Sequence, residues 1–164
     1  GKMWAFEHEG IRPDGITVGK ALGGGVYPVS AFCADERVMD VFAPGSHGST
    51  FGGNPLAAAV ATTALEVLED ERLPERAATL GESFRAALRG LGSPKVKEVR
   101  GKGLLIGVEL HREAGKARPY CEALMARGVL CKDTHEQVMR FAPPLVLAED
   151  DLRWALERIG EVLA

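Results

Sequence analysis

The pattern of apolar and polar positions along the chain predicts alternating strands and helices. The first half contains two β-branched or apolar runs, followed by one short, one long and one amphipathic helical pattern. The strands are expected at 16–18 and 28–34, and the helices at 35–42, 55–71 and 75–91. The second strand is expected to be buried because its run is almost wholly apolar. Leu73-Pro74 is expected to break the helical pattern between the last two helices.

From about residue 93 the pattern changes to short strands and helices in alternation, which predicts a small α+β domain. The strands are expected at 96–100, 104–110, 129–132 and 138–142, and the helices at 116–127 and 149–163.

A lysine stands at the bend between the first two predicted strands. Lys20 follows Gly19, and three glycines follow at 23–25. A loop without side chains lets a ligand approach closely, and apolar neighbours would desolvate the ammonium group. A lysine that attacks a carbonyl group needs to lose its proton, which such a setting favours. A solvated loop lysine is the simpler alternative, and the pattern alone does not exclude it.

A nucleotide-binding phosphate loop is excluded at this lysine by its spacing. That loop needs four residues between its glycines and a hydroxyl residue after the lysine. Here three residues separate Gly15 from Gly19, and Ala21 follows Lys20.

A second glycine-rich segment carries Ser49 and Thr50 and leads into Asn54-Pro55. Asparagine followed by proline is typical of the start of a helix. Hydroxyls and backbone amides before a helix start can bind an anion. The alternative is a loop whose glycines only allow the helix to pack closely.

Arg140 is a lone cation in an apolar strand that ends before Pro143-Pro144. A guanidinium group in this position would suit a substrate carboxylate, which it can bind through two parallel hydrogen bonds. The alternative is a structural ion pair or a side chain that reaches the surface.

Composition and residue spacing argue against several other classes of function. The net charge of −3 argues against a nucleic-acid-binding protein. No apolar run approaches the roughly 20 residues of a membrane helix, and the first residues lack the apolar core of a signal peptide. The three scattered cysteines form no disulfide framework, which indicates a reducing cytoplasm. The four histidines show no metal-binding spacing, so no metal site is expected.

Four ordered segments resemble the class III aminotransferases, which use pyridoxal 5′-phosphate (PLP). They are residues 19–31, 47–56, 100–104 and 132–145, and the first of them has the sequence GKALGGGVYPVSA. The Val-Tyr-Pro at 26–28 is most similar to the ornithine-specific branch of this family. The resemblance extends over essentially the whole chain.

The resemblance implies the α/β fold class and a fold-type-I architecture, with 1–92 as the C-terminal part of the PLP-binding large domain and 93–164 as the small α+β C-terminal domain. It implies that Lys20 forms the Schiff base with PLP and moves the proton during transfer. Thr50, with the Ser49 amide, would bind the cofactor phosphate of the neighbouring subunit in a homodimer. Arg140 would hold a substrate carboxylate.

The reaction implied is transfer of the δ-amino group of ornithine to 2-oxoglutarate, giving glutamate 5-semialdehyde and glutamate. Acetylornithine and 4-aminobutyrate stay open as alternative amino donors. In the family, the aspartate that pairs with the pyridine nitrogen and a second phosphate loop precede the position of Gly1. We therefore expect the chain to be an incomplete C-terminal portion with little or no activity alone. The alternative from another class is a non-catalytic binding or dimerisation module.

Overall fold

The computed structural model describes residues 1–164 and divides them into two units. We call Met3–Arg72 the lysine unit, and Gly1–Lys2 with Leu73–Ala164 the sheet unit. The division falls before the helix predicted at 75–91, whereas the sequence pattern places it after residue 92. This helix belongs to the sheet unit because Leu80, Phe84 and other residues of its apolar face are buried in the core of that unit.

The lysine unit contains a two-stranded antiparallel sheet and two helices. Its elements are β1 (Gly15–Val18), β2 (Ala31–Ala34), α1 (Glu36–Met39) and α2 (Pro55–Asp70). The strand predicted at 28–34 is shorter in the structure, and the expectation that it is buried is wrong. Phe32 is 46% exposed. An apolar run is typical of a strand covered on both faces, but no residue of this unit covers β2 in that way.

Helix α2 begins where the Asn54-Pro55 pattern predicts it. The Asn54 side-chain oxygen accepts a hydrogen bond from the Ala57 amide at 2.8 Å and so caps the first turn. The chain leaves the helix at Arg72, whose φ of 51° lies in the left-handed region. Pro74 therefore opens the next helix instead of ending α2, since a proline in the first turn removes no helical hydrogen bond.

The sheet unit consists of a four-stranded antiparallel sheet with three helices. Its elements are α3 (Leu73–Gly90), β3 (Val96–Lys102), β4 (Leu105–Leu110), α4 (Ala117–Met125), β5 (Lys132–Thr134), β6 (Val138–Phe141) and α5 (Glu149–Leu163). The strand order is β3-β4-β6-β5. The helices and one face of the sheet form the core, in which the ring of Phe84 meets the edge of Phe141 at a centroid distance of 5.9 Å. None of the helices is both long and apolar enough to cross a membrane.

Strand β5 lies later in the chain than the predicted strand at 129–132. The amide of Gly128 donates to the Met125 carbonyl, and the amide of Val129 donates to the Leu124 carbonyl at 2.9 Å. These amides satisfy the last carbonyls of α4. They are therefore not available to a strand, and pairing begins only at Lys132.

Helix α3 approaches the turn between β3 and β4 very closely at Gly81. A Cβ atom added at this position would overlap the carbonyl group of Gly103. One turn further along, the buried guanidinium group of Arg85 donates a hydrogen bond to the same carbonyl at 2.7 Å. Arg85 also pairs with Glu82 at 2.6 Å, and this hydrogen bond lowers the pKa of the Glu82 carboxyl below its usual range. Gly81 and Arg85 together fix the turn against α3.

Candidate functional site

Lys20 begins a short 3₁₀ turn directly after β1 and has an unusual backbone conformation. Its φ is 53°, in the left-handed region that residues with a side chain seldom adopt. Such a conformation costs about 1–3 kcal/mol and clusters at functional sites, where the surrounding structure imposes it. Here successive turns impose it. The amide of Leu22 donates to the Gly19 carbonyl at 3.2 Å, and the amide of Gly24 donates to the Ala21 carbonyl at 3.0 Å.

The glycines after Lys20 allow the loop to fold against α2. Gly24 and Gly25 have φ values of 57° and 76°, which glycine adopts without steric cost. A Cβ atom added at Gly24 would lie 3.5 Å from the Cβ of Ala64 on α2. The long helix thus supports the loop that carries the lysine.

The side chain of Lys20 is exposed and forms no ion pair or hydrogen bond within the chain. The expectation that apolar neighbours desolvate its ammonium group is therefore wrong for this structure. Ala21 is exposed and Leu22 is only partly buried. In this turn only Gly23, which has no side chain, is buried. The loop presents the amine instead of enclosing it.

Ser49 and Thr50 lie in the turns that lead into the N-terminus of α2. The amide of Gly52 donates to the Ser49 carbonyl at 3.2 Å, which folds the segment back on itself before the cap at Asn54. Both residues are exposed, and neither hydroxyl is hydrogen-bonded within the chain. The N-terminus of a 16-residue helix carries a partial positive charge that favours an anion. Two hydroxyl groups before this end of the helix have the chemistry that a phosphate group requires.

Arg140 lies on β6 with its side chain on the polar face of the sheet, because its neighbours Met139 and Phe141 face the core. It is exposed and forms no ion pair within the chain. The alternative of a structural ion pair therefore finds no support in these residues. The guanidinium group is available to a carboxylate from outside the chain.

A carboxylate on the same face of the sheet already has two cationic partners within the chain, unlike Arg140, which has no anionic partner. Glu109 accepts hydrogen bonds from Lys97 and Arg100, both at 2.6 Å. These two hydrogen bonds lower the pKa of the Glu109 carboxyl, with Lys97 making the larger contribution. The bond to Glu109 in turn raises the pKa of Arg100, which also pairs with Glu98 at 2.7 Å. Glu109 is therefore committed to Lys97 and Arg100.

Three of the four predicted site residues, Lys20, Ser49 and Thr50, belong to the lysine unit, and Arg140 belongs to the sheet unit. Lys132 was not predicted as a site residue, although it lies directly opposite Arg140 on β5. A strand that begins at Lys132 and a short turn after Thr134 would have placed Lys132 opposite Arg140. The strand predicted at 129–132 instead ends at Lys132, so the sequence pattern does not indicate this pairing.

The chain belongs to the aminotransferase class-III family, whose model matches residues 1–163. Among curated proteins, it is 57% identical over 163 residues to the ornithine aminotransferase of Bacillus subtilis (strain 168). It is likewise 57% identical over 164 residues to that of Staphylococcus carnosus (strain TM300). These alignments cover 99% and 100% of the chain, which spans about 40% of the length of the relatives.

Solved structures agree with this assignment. The fold matches an ornithine aminotransferase from Toxoplasma gondii with a TM-score of 0.93 and 45% identity, over 99% of the chain and 39% of that protein. That protein contains PLP at partial occupancy in its active site. An acetylornithine aminotransferase from Elizabethkingia anophelis matches with a TM-score of 0.90 and 45% identity, over 99% of the chain and 43% of that protein. The predicted α/β fold class and the family resemblance are confirmed.

Proposed function

We propose that the chain forms the lysine-bearing and carboxylate-binding portion of a PLP-dependent ornithine δ-aminotransferase. The reaction transfers the δ-amino group of ornithine to 2-oxoglutarate. The observation that carries this proposal is the 57% identity to curated ornithine aminotransferases over essentially the whole chain. The Val-Tyr-Pro segment at 26–28, directly after the lysine loop, supports the same assignment.

The residues of the lysine unit fit PLP by their chemistry. PLP, when bound, supplies the electron sink for the negative charge that develops on the substrate carbon. Lys20 offers an exposed primary amine on a loop of defined conformation, and an amine is the group that binds an aldehyde covalently. Once the substrate amine has taken its place, the Nζ of Lys20 can accept a proton from the substrate carbon and deliver it again. Ser49 and Thr50 offer an amide and hydroxyls to the phosphate group.

Two further parts of the proposal concern the assembly and its location. Thr50, with the Ser49 amide, would bind the phosphate of the cofactor in the neighbouring subunit of a homodimer. We place the enzyme in the cytoplasm, which the three free cysteines support. Burial raises the pKa of the Cys121 and Cys131 thiols, so these two remain protonated and unreactive at neutral pH.

The amino donor is tested by parallel assays of the complete enzyme with ornithine, N-acetylornithine and 4-aminobutyrate. We expect kcat/KM for ornithine to exceed the other two values by at least about tenfold, a difference of about 1.4 kcal/mol in transition-state binding. The similarity to an acetylornithine aminotransferase makes acetylornithine the competing donor. A higher kcat/KM for acetylornithine would assign the enzyme to that activity instead.

Replacement of Arg140 by alanine is expected to raise the KM for 2-oxoglutarate by about 10- to 100-fold. A hydrogen bond to a charged group contributes about 1.5–3 kcal/mol, and alanine removes the guanidinium group entirely. Arg140→Lys should recover part of the affinity, because it keeps the charge but loses the paired hydrogen bonds. Steady-state kinetics with 2-oxoglutarate as the varied substrate measures the effect, and an unchanged KM in Arg140→Ala would remove Arg140 from the site.

A further inference from the structure

One row of residues across the four-stranded sheet is unusually rich in positive charge. The strand register places Arg100 opposite Gly107, Gly107 opposite Arg140, and Arg140 opposite Lys132. The row thus holds three cations and one glycine. Like charges directly opposite each other on neighbouring strands destabilise a sheet. Anions close to this row would therefore stabilise the sheet by balancing its positive charge.

The compensation within the chain is confined to one end of the row. Arg100 is neutralised by Glu98 at 2.7 Å and by Glu109 at 2.6 Å. Arg140 and Lys132 are both exposed and form no ion pair within the chain. Two adjacent positive charges thus face outward together at the β6–β5 end of the row.

Gly107 contributes no side chain to the row beside this pair. The site of the missing Cβ atom is not empty, because an added Cβ would be pressed against the Cγ1 of Val138 at 3.3 Å and would lie 3.9 Å from the Cγ of Arg100. No side chain of this row therefore stands between Arg100 and Arg140. On the other side of Arg140 stands Lys132, so the ammonium group of Lys132 is the neighbour of the Arg140 guanidinium within this row.

We propose that Lys132 is a second cation of the carboxylate site at Arg140, where it acts as a positioning residue that selects the 2-oxo acid. This inference rests on the proposed function of Arg140. Directly paired residues on neighbouring strands have Cβ atoms about 5 Å apart, so the ammonium of Lys132 lies within the range at which it attracts an anion bound to Arg140. A dianion such as 2-oxoglutarate gains from this charge, whereas ornithine, with a net positive charge, gains nothing.

The test compares Lys132→Met with Lys132→Arg and Lys102→Met in the complete enzyme. Lys102 is a matched control because it is exposed, forms no ion pair and lies on β3, at the opposite edge of the same sheet. In Lys132→Met we expect the KM for 2-oxoglutarate to rise about three- to tenfold at low ionic strength. The kcat should stay unchanged and the KM for ornithine should not rise, since ornithine carries a net positive charge, and the rise in KM for 2-oxoglutarate should shrink as added salt screens the charge. Lys132→Arg and Lys102→Met should behave like the unmodified enzyme.

A purely structural role for Lys132 predicts a different result. The KM values for both substrates would then change together, independently of salt, and the midpoint of thermal unfolding would fall. That result, or an unchanged KM for 2-oxoglutarate in Lys132→Met, would overturn the inference. If Arg140→Ala raises this KM and Lys132→Met does not, only the role of Lys132 fails. If neither variant changes it, the proposed function of Arg140 fails as well.

Discussion

Replacement of Lys20 by alanine is expected to lower kcat of the complete enzyme by at least about a thousandfold, since proton transfer and covalent catalysis by a positioned group typically contribute at this scale. Alanine has no amine to bind the aldehyde or to move the proton. It keeps the Cβ atom, so the strained backbone at φ 53° meets the same steric demand as before. Steady-state and single-turnover assays with ornithine measure the loss.

Lys20→Arg is the matched control for charge. Arginine keeps a positive side chain of similar length on the same loop, but it remains protonated and cannot form the covalent bond. Both variants should therefore be equally inactive while they remain folded. Activity within tenfold of the unmodified enzyme in Lys20→Arg would show that Lys20 contributes only charge.

Replacement of Gly81 by alanine is expected to lower the free energy of unfolding by about 3 kcal/mol, at the upper end of overpacking effects. The added methyl group would overlap the backbone carbonyl of Gly103, and neither backbone can move aside without disturbing the core. Displacing the turn would also stretch the 2.7 Å hydrogen bond that Arg85 donates to the same carbonyl. Urea denaturation of the variant and of the unmodified protein gives the difference.

Gly90→Ala provides the control in the same helix. Gly90 is the last residue of α3, and a Cβ atom added there meets nothing within 4 Å. Alanine is favoured over glycine in a helix by up to about 1 kcal/mol, so this variant should be equally stable or more stable. Equal losses of stability in Gly81→Ala and Gly90→Ala would contradict the close contact between α3 and the turn.

Local chemistry made some elements predictable from the sequence. Asn54-Pro55 predicts the start of α2 because an asparagine cap and a proline in the first turn are recognisable without any tertiary information. The end of α2 at Asp70 is also predicted to within one residue, at 71. The sequence does not reveal the cause of the break, which is the left-handed conformation of Arg72 and not Leu73-Pro74.

Other errors arose where distant parts of the chain decide the outcome. The apolar run at 28–34 predicts burial, but burial depends on what covers the strand, and Phe32 is exposed. The strand predicted at 129–132 loses its first residue, Val129, to the end of α4, because the carbonyl of Leu124 accepts the Val129 amide. The two units of the structure divide after Arg72 because the apolar face of α3 completes the core of the sheet unit, and the domain boundary predicted after residue 92 stays a prediction.

The candidate site likewise has features that the sequence predicts and features that only the folded chain determines. Lys20 and Arg140 could be singled out because each is a cation in an unusual local setting, whereas the family resemblance selected Ser49 and Thr50. The roles of all four residues stay predictions. The pairing of Arg140 with Lys132 depends on the register of β5 and β6, which became visible only in the structure. The strain at Lys20 is likewise a property of the folded loop.

The central claim, that Lys20 holds the cofactor, is tested most directly by borohydride reduction of the complete enzyme in the presence of PLP. Peptide mapping by mass spectrometry should locate a pyridoxyl group on the Nζ of Lys20, and this group should be absent from Lys20→Arg. A folded enzyme that carries the group on another lysine, or on none, would contradict the claim. The absence of any adduct would favour a non-catalytic binding or dimerisation module.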